Sequence, residues 1–211
     1  MLHRFEAPVL YGVVGLSTSD GKCLESSMSS FEDYMRCAYG WTGTLVARAP
    51  SWLTDVIETA SAHSAEMTLG DIEGRFCTSL VQSCGACPLV LVACKPDHLL
   101  ERAARKEFEG TERAKFEGTE RAKPEWGATK GYLAVVYHLR EYVVWHEALH
   151  LLDAEDCYDE TGRAVSECDD PDCLMRFGTT KKTCLCSPNR KRIEKTLRCI
   201  GNRGLGNEEE F

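Results

Sequence analysis

The segment 139–152, LREYVVWHEALHLL, constrains this chain more than any other. Leu139, Tyr142, Val143, Val144, Trp145, Leu149 and Leu152 put apolar side chains on most faces of a helix. A helix of that kind belongs at the centre of a fold. Yet it carries His146, Glu147 and His150. Buried ring nitrogens must find partners, and a metal ion is one such partner. Residues four apart on a helix share a face, one above the other, so His146 and His150 can reach a single ion together. Glu147 stands beside them, where a carboxylate can take a proton from water and hand it on. The pattern H-E-x-x-H therefore supplies two ligands and a base, and it leaves a third ligand to be found further along the chain. The competing reading is a pair of core histidines bonded to carboxylates such as Asp153 or Glu155.

The rest of the chain supplies the layers around that helix. PVLYGVVGL (8–16) and PLVLVAC (88–94) are buried-strand runs, with TGTLVARA (42–49) between them. Met28, Phe31, Met35 and Ala38 recur at helical spacing over 26–38, and Trp52, Val56, Ile57 and Ala60 do so over 52–63. Residues 69–84 are ambiguous, with a short helix before the Cys84–Pro88 turn as one reading. GYLAVVYHL (131–139) is a further strand, running directly into the histidine helix. Strands alternating with helices predict an α/β layered core, here an α/β (α+β) fold. Residues 101–130 form a charged insertion with FEGTERAK in tandem at 108–115 and 116–123, too short a period for a solenoid. We expect one domain over 1–211. Residues 1–152 form an N-terminal α/β part, and 153–200 a small cysteine-rich C-terminal part.

Charge and cysteine content narrow the function. A net charge of −8 argues against nucleic-acid binding by phosphate neutralisation. No apolar stretch of about 18 residues is present, so no membrane span is expected. The first twenty residues read as a strand and not as a signal peptide, which predicts a cytoplasmic protein. In a reducing compartment, 12 cysteines point to metal binding more than to disulfides.

The residues after the helix sharpen the picture. Asp153, Asp156 and Cys157 follow His150, and CDDPDCLM places Cys168 and Cys173 four residues apart with Met175 two beyond, ahead of Cys184 and Cys186. This resembles the metzincin zinc peptidases, whose signature H-E-x-x-H-x-x-G-x-x-H/D precedes a methionine turn, and within them the archaemetzincins. The resemblance spans about 88–200 and is specific over 146–186. It implies a zincin-like mixed, twisted sheet with an edge strand, 131–138, over the active-site helix. It makes Asp156 the third ligand of a catalytic zinc with His146 and His150, Glu147 the general base, and Met175 the methionine turn. Asp153, Cys157 and Asp159 are rival third ligands. Asp153 falls where the family has a glycine in the left-handed region, which Asp reaches at modest cost.

By the same resemblance Cys168, Cys173, Cys184 and Cys186 would hold a structural zinc, with Cys157 the rival of Cys168. The family implies a metallopeptidase acting on peptides or proteins, aminopeptidase-like in one version. The alternative is a zinc-stabilised, catalytically weak binding protein of the same fold.

Overall fold

The computed structural model describes residues 7–62, 67–84, 87–107, 127–158, 165, 167–176 and 184–205. Side-chain alternation along the strands explains its layering. Strands β1 (Val9–Val14), β2 (Val46–Arg48) and β3 (Leu89–Cys94) pair in parallel, with Val9 opposite both Val46 and Leu89. Two more strands complete the sheet: β4 (Gly127–Lys130) and β5 (Leu133–Val136). β5 continues the parallel set beside β3, and β4 closes it as an antiparallel edge, giving the order β2-β1-β3-β5-β4. Val9, Leu91, Ala93, Ala134 and Val136 face one layer; Leu10, Val90, Val92, Leu133 and Val135 face the other. A parallel sheet covered on both faces must be apolar on both, and these runs are.

Helix α1 (Thr18–Tyr39) covers the first face. Ser17 and Asp20 form a reciprocal capping box at its start, and Gly40, at φ 64°, ends it. Leu24, Met28, Phe31 and Met35 are its buried stripe. Helices α2 (Ser51–Ser61), α3 (Leu69–Cys84) and α4 (Leu99–Glu107) cover the second face. α3 is a full helix and not a short one: Thr68 and Asp71 cap it reciprocally, a signal that offsets its two glycines. The histidine helix is α5 (Glu141–Leu151), packed beside α1, and α6 (Ser187–Leu205) follows the cysteine-rich segment. Trp145 anchors α5, its Nε1 donating to the Ser27 carbonyl at 3.0 Å while its ring stacks on Tyr34.

The fold is thus a mixed α/β arrangement of five strands and six helices among the described residues. One expectation is overturned. The strand 131–138 is not an edge: β5 lies between β3 and β4, and among the described residues the edge on that side is β4, whose sequence GATK carries no apolar alternation. The tandem FEGTERAK segment lies outside the described residues. No helix is long and apolar enough to cross a membrane, among the described residues.

Candidate metal centres

α5 ends in a way that builds the first site. Asp153 has φ 74°, its N–H bonds to the His150 carbonyl, and the Ala154 N–H bonds to the Leu149 carbonyl. This pair of bonds around a left-handed residue is a Schellman cap, and Asp153 fills the place usual for glycine. The chain turns back at once. The Ala154 carbonyl lies 2.8 Å from His150 Nδ1, and Asp156 arrives under both rings. His146 Nδ1 lies 3.3 Å from the Leu174 carbonyl. A ring nitrogen facing a carbonyl oxygen must donate, so each ring carries its hydrogen on Nδ1 and turns an Nε2 lone pair inward.

Three acceptor atoms then converge. His146 Nε2 and His150 Nε2 are 3.1 Å apart, and Asp156 Oδ1 lies 3.2 and 3.4 Å from them. Lone pairs meeting at that distance need a cation or a shared proton between them. A divalent ion such as zinc, bonded at about 2.0–2.1 Å in a tetrahedral sphere, spaces its donors by about 3.3–3.4 Å. The residues fit. Without an ion the proton does the work. Burial opposes charge on His150, but the bond to Asp156 and that carboxylate's charge win, raising His150 to about 9. Burial opposes ionisation of Asp156 as well, and the two imidazoles outweigh it, holding its carboxyl well below the usual range.

Glu147 is buried at 5% exposure, so its position is set by its neighbours. Thr129 on β4 donates to its Oε2 at 2.6 Å. Gly127, also on β4, leaves the space it occupies: a Cβ there would lie 2.6 Å from Glu147 Cγ and 2.8 Å from Oε1. The edge strand therefore backs the carboxylate beside the two histidines.

The second group is made of thiols. Cys157, Cys168, Cys173 and Cys186 are all buried, with their sulfurs within 4.8 Å of one another. Cys157 Sγ is 3.5 Å from Cys186 Sγ and 3.7 Å from Cys173 Sγ. Disulfide bonding requires about 2.05 Å, whereas four thiolates around one zinc stand about 3.8 Å apart. Donors aim at the sulfurs. The Cys186 N–H points at Cys173 Sγ at 3.4 Å, Asn189 Nδ2 at Cys157 Sγ at 3.3 Å, and Arg176 Nε at Cys168 Sγ at 3.3 Å. Among these sulfurs it is Cys173 that the surroundings favour as thiolate. The Cys157 thiol directed at Cys173 lowers the Cys173 pKa most, against burial; Cys157 itself is pushed up, first by that bond and then by burial.

The expected set 168, 173, 184 and 186 is therefore corrected. Cys184 is outside it. Its Sγ donates to the Asp172 carbonyl at 2.8 Å, and its own carbonyl accepts from the Leu174 N–H. Cys157 takes the fourth place, and Cys168 stays. Of the rival third ligands, Asp153 points toward Arg192 at 3.9 Å, Cys157 belongs to the thiol group, and Asp159 lies outside the described residues. Met175 is fully buried in the core cluster that α5 shares, and its carbonyl accepts the Cys157 N–H at 2.8 Å. Away from both groups, Cys77 and Cys87 are joined as a disulfide.

No pattern in the sequence marks Gly127, Thr129, Arg176 or Asn189 as a site residue. None sits in a spacing that marks a ligand; each matters through a contact distant along the chain. Both residue groups can hold metal ions. No protein-family model, curated protein or solved structure matches this chain.

Proposed function

We propose that this protein is a zinc-dependent peptidase of archaemetzincin-like type, with a zincin-like fold, a catalytic ion at His146, His150 and Asp156 and a structural ion at the four thiols. The observation that carries the reading is the contrast between the groups. The thiol set is wholly buried and offers four donors, as closed structural sites do. The other offers three donors of 18%, 19% and 28% side-chain exposure, with a carboxylate alongside. Three protein ligands with one side open is the pattern of catalytic zinc.

Zinc bound there would acidify a water molecule and polarise a substrate carbonyl. The chain's own residues do the rest. Glu147 accepts the proton of the attacking water and returns it to the departing amine. Thr129 and Gly127 hold that carboxylate in one place, which counts because small displacements of reacting groups are costly. The rings are held by the Leu174 and Ala154 carbonyls, so both Nε2 atoms stay aimed inward. β4 is the sheet edge nearest Glu147, and an extended peptide can pair with such an edge. This supports peptide or protein as the substrate class.

A second reading, a zinc-stabilised binding protein of low turnover, draws on one observation: one oxygen of Glu147 is already engaged by Thr129. One experiment separates the two. Metal analysis of the wild type should find two zinc ions, and a peptide-library digest should show cleavage that Glu147→Gln abolishes with zinc content unchanged. Zinc without cleavage supports the binder. Absence of zinc from the purified and zinc-reconstituted protein refutes both.

A further inference from the structure

The two groups are joined twice along the backbone. Asp156 and Cys157 are consecutive, and one belongs to each site. Cys173 and Leu174 are also consecutive: Cys173 supplies a thiol, while the Leu174 carbonyl orients His146. The two connecting segments are themselves tied, Cys157 N–H to Met175 carbonyl at 2.8 Å.

Asn189, in the first turn of α6, grips the first segment with its whole side chain. Its Oδ1 accepts the Glu155 N–H at 2.8 Å, and its Nδ2 donates to the Glu155 carbonyl at 2.8 Å and to Cys157 Sγ at 3.3 Å. It is 2% exposed, so no water competes for these bonds. An amide in that position presents every hydrogen-bonding group to one loop and one sulfur. Asn189 follows Cys186 by one helical turn, so the thiol site also positions α6.

We propose that the two ion sites bind cooperatively, and that Asn189 is the positioning residue that carries the coupling. Four thiolates drawn together by an ion fix Cys157, and with it the neighbouring Asp156, at bonding distance from the rings. They also fix Cys173, and with it the carbonyl that holds His146. Emptying the thiol site releases both at once. Without an ion the sulfurs are held only by weak contacts such as Cys157 Sγ to Cys173 Sγ at 3.7 Å and to Cys186 Sγ at 3.5 Å, so the loop loosens, and the imidazole site loses the placement of its third ligand and one ring anchor. Such coupling is reciprocal: whatever factor one ion adds to the other's affinity is returned. The inference rests on both groups holding ions, as proposed above.

Titration of the metal-free protein with cobalt(II) and zinc(II) against a competing chelator tests it. The thiolate-to-cobalt charge-transfer absorption reports the thiol site, and total bound metal reports both. Asn189→Ala keeps all seven ligands. It should weaken the imidazole site about tenfold or more, the usual effect of losing a group that orients ligands. Cys168→Ser should empty the thiol site and weaken the imidazole site at least as much. His146→Ala, which leaves the thiol site's ligands whole, should weaken that site by the factor Cys168→Ser shows at the other. Unchanged affinity, within about twofold, at the imidazole site of Asn189→Ala or at the thiol site of His146→Ala overturns the coupling. If a cysteine variant fails to fold, His146→Ala still decides. A wild type that binds no ion at the imidazole site would instead refute the functional reading on which the coupling rests.

Discussion

Gly127→Ala tests the placement of the proposed base in the most direct way, because it adds one methyl group and removes nothing. The new Cβ would lie 2.6 Å from Glu147 Cγ, 2.8 Å from Oε1 and 2.9 Å from Cδ. Ordinary carbon contacts begin at about 3.5 Å. Relief therefore requires a displacement of about 1 Å. The nearest clash is with Cγ, close to the helix backbone, and not with the far end of a flexible chain. Glu147 is buried, so it cannot swing into solvent, and β4 is hydrogen-bonded to β5 along its length. Overpacking of this kind costs about 1–3 kcal/mol of stability. A misplacement of about 1 Å at a reacting group costs on the order of a hundredfold in turnover. We therefore expect kcat on a cleaved peptide to fall about a hundredfold, zinc content to stay at the wild-type level, and the urea midpoint to drop. Wild-type turnover together with wild-type stability would refute the argument, since it would mean that Glu147 is not confined by the edge strand.

Other outcomes follow from the same geometry. Thr129→Val should leave a buried Glu147 oxygen without its donor, at a cost of about 1–3 kcal/mol by chemical denaturation, with turnover reduced and zinc retained. Cys157→Ser should lose the thiol-site ion in metal analysis while Cys184→Ser keeps it, the reverse of a ligand set that includes Cys184. Asp153→Ala should destabilise by about 1 kcal/mol and Asp153→Gly should be neutral or stabilising, since φ 74° suits glycine and the exposed Arg192 pairing contributes little. The metal-free protein should lose stability as pH rises. His150 is raised to about 9 when folded, above its unfolded value, so its contribution is complete below the unfolded pKa and is lost as pH passes about 9. Metal binding near neutral pH should for the same reason release a proton, which calorimetry in buffers of different ionisation enthalpy measures; no proton release would contradict the shared-proton picture.

Much of the framework is a property of short stretches, and the sequence alone determined it. The buried runs at β1 and β3, the stripe of α1 and the all-round apolarity of α5 are local periodicities, written within a few turns or a few alternations. So is the pairing of His146 with His150, because four residues on a helix can face only one way. The left-handed turn at Asp153 is different: it is suggested only by the family resemblance, at a position where Asp is tolerated at modest cost. The full length of helix α3 is not legible from its pattern, because two glycines interrupt a helix that the Thr68–Asp71 cap supports.

What closes each site is not local. Cys184 stands two residues from Cys186 and Cys157 stands 29 away, so spacing ranks them wrongly. The choice is made where the Leu174 N–H meets the Cys184 carbonyl and turns its sulfur toward Asp172. β4 has no strand pattern of its own; it is a strand because it pairs with β5, and an edge because nothing described lies beyond it. Gly127, Thr129 and Asn189 carry no motif, since each acts on a residue far along the chain. Periodicity specifies which way a side chain points, but only the packed fold decides what stands in front of it, and a metal sphere is defined by its last ligand.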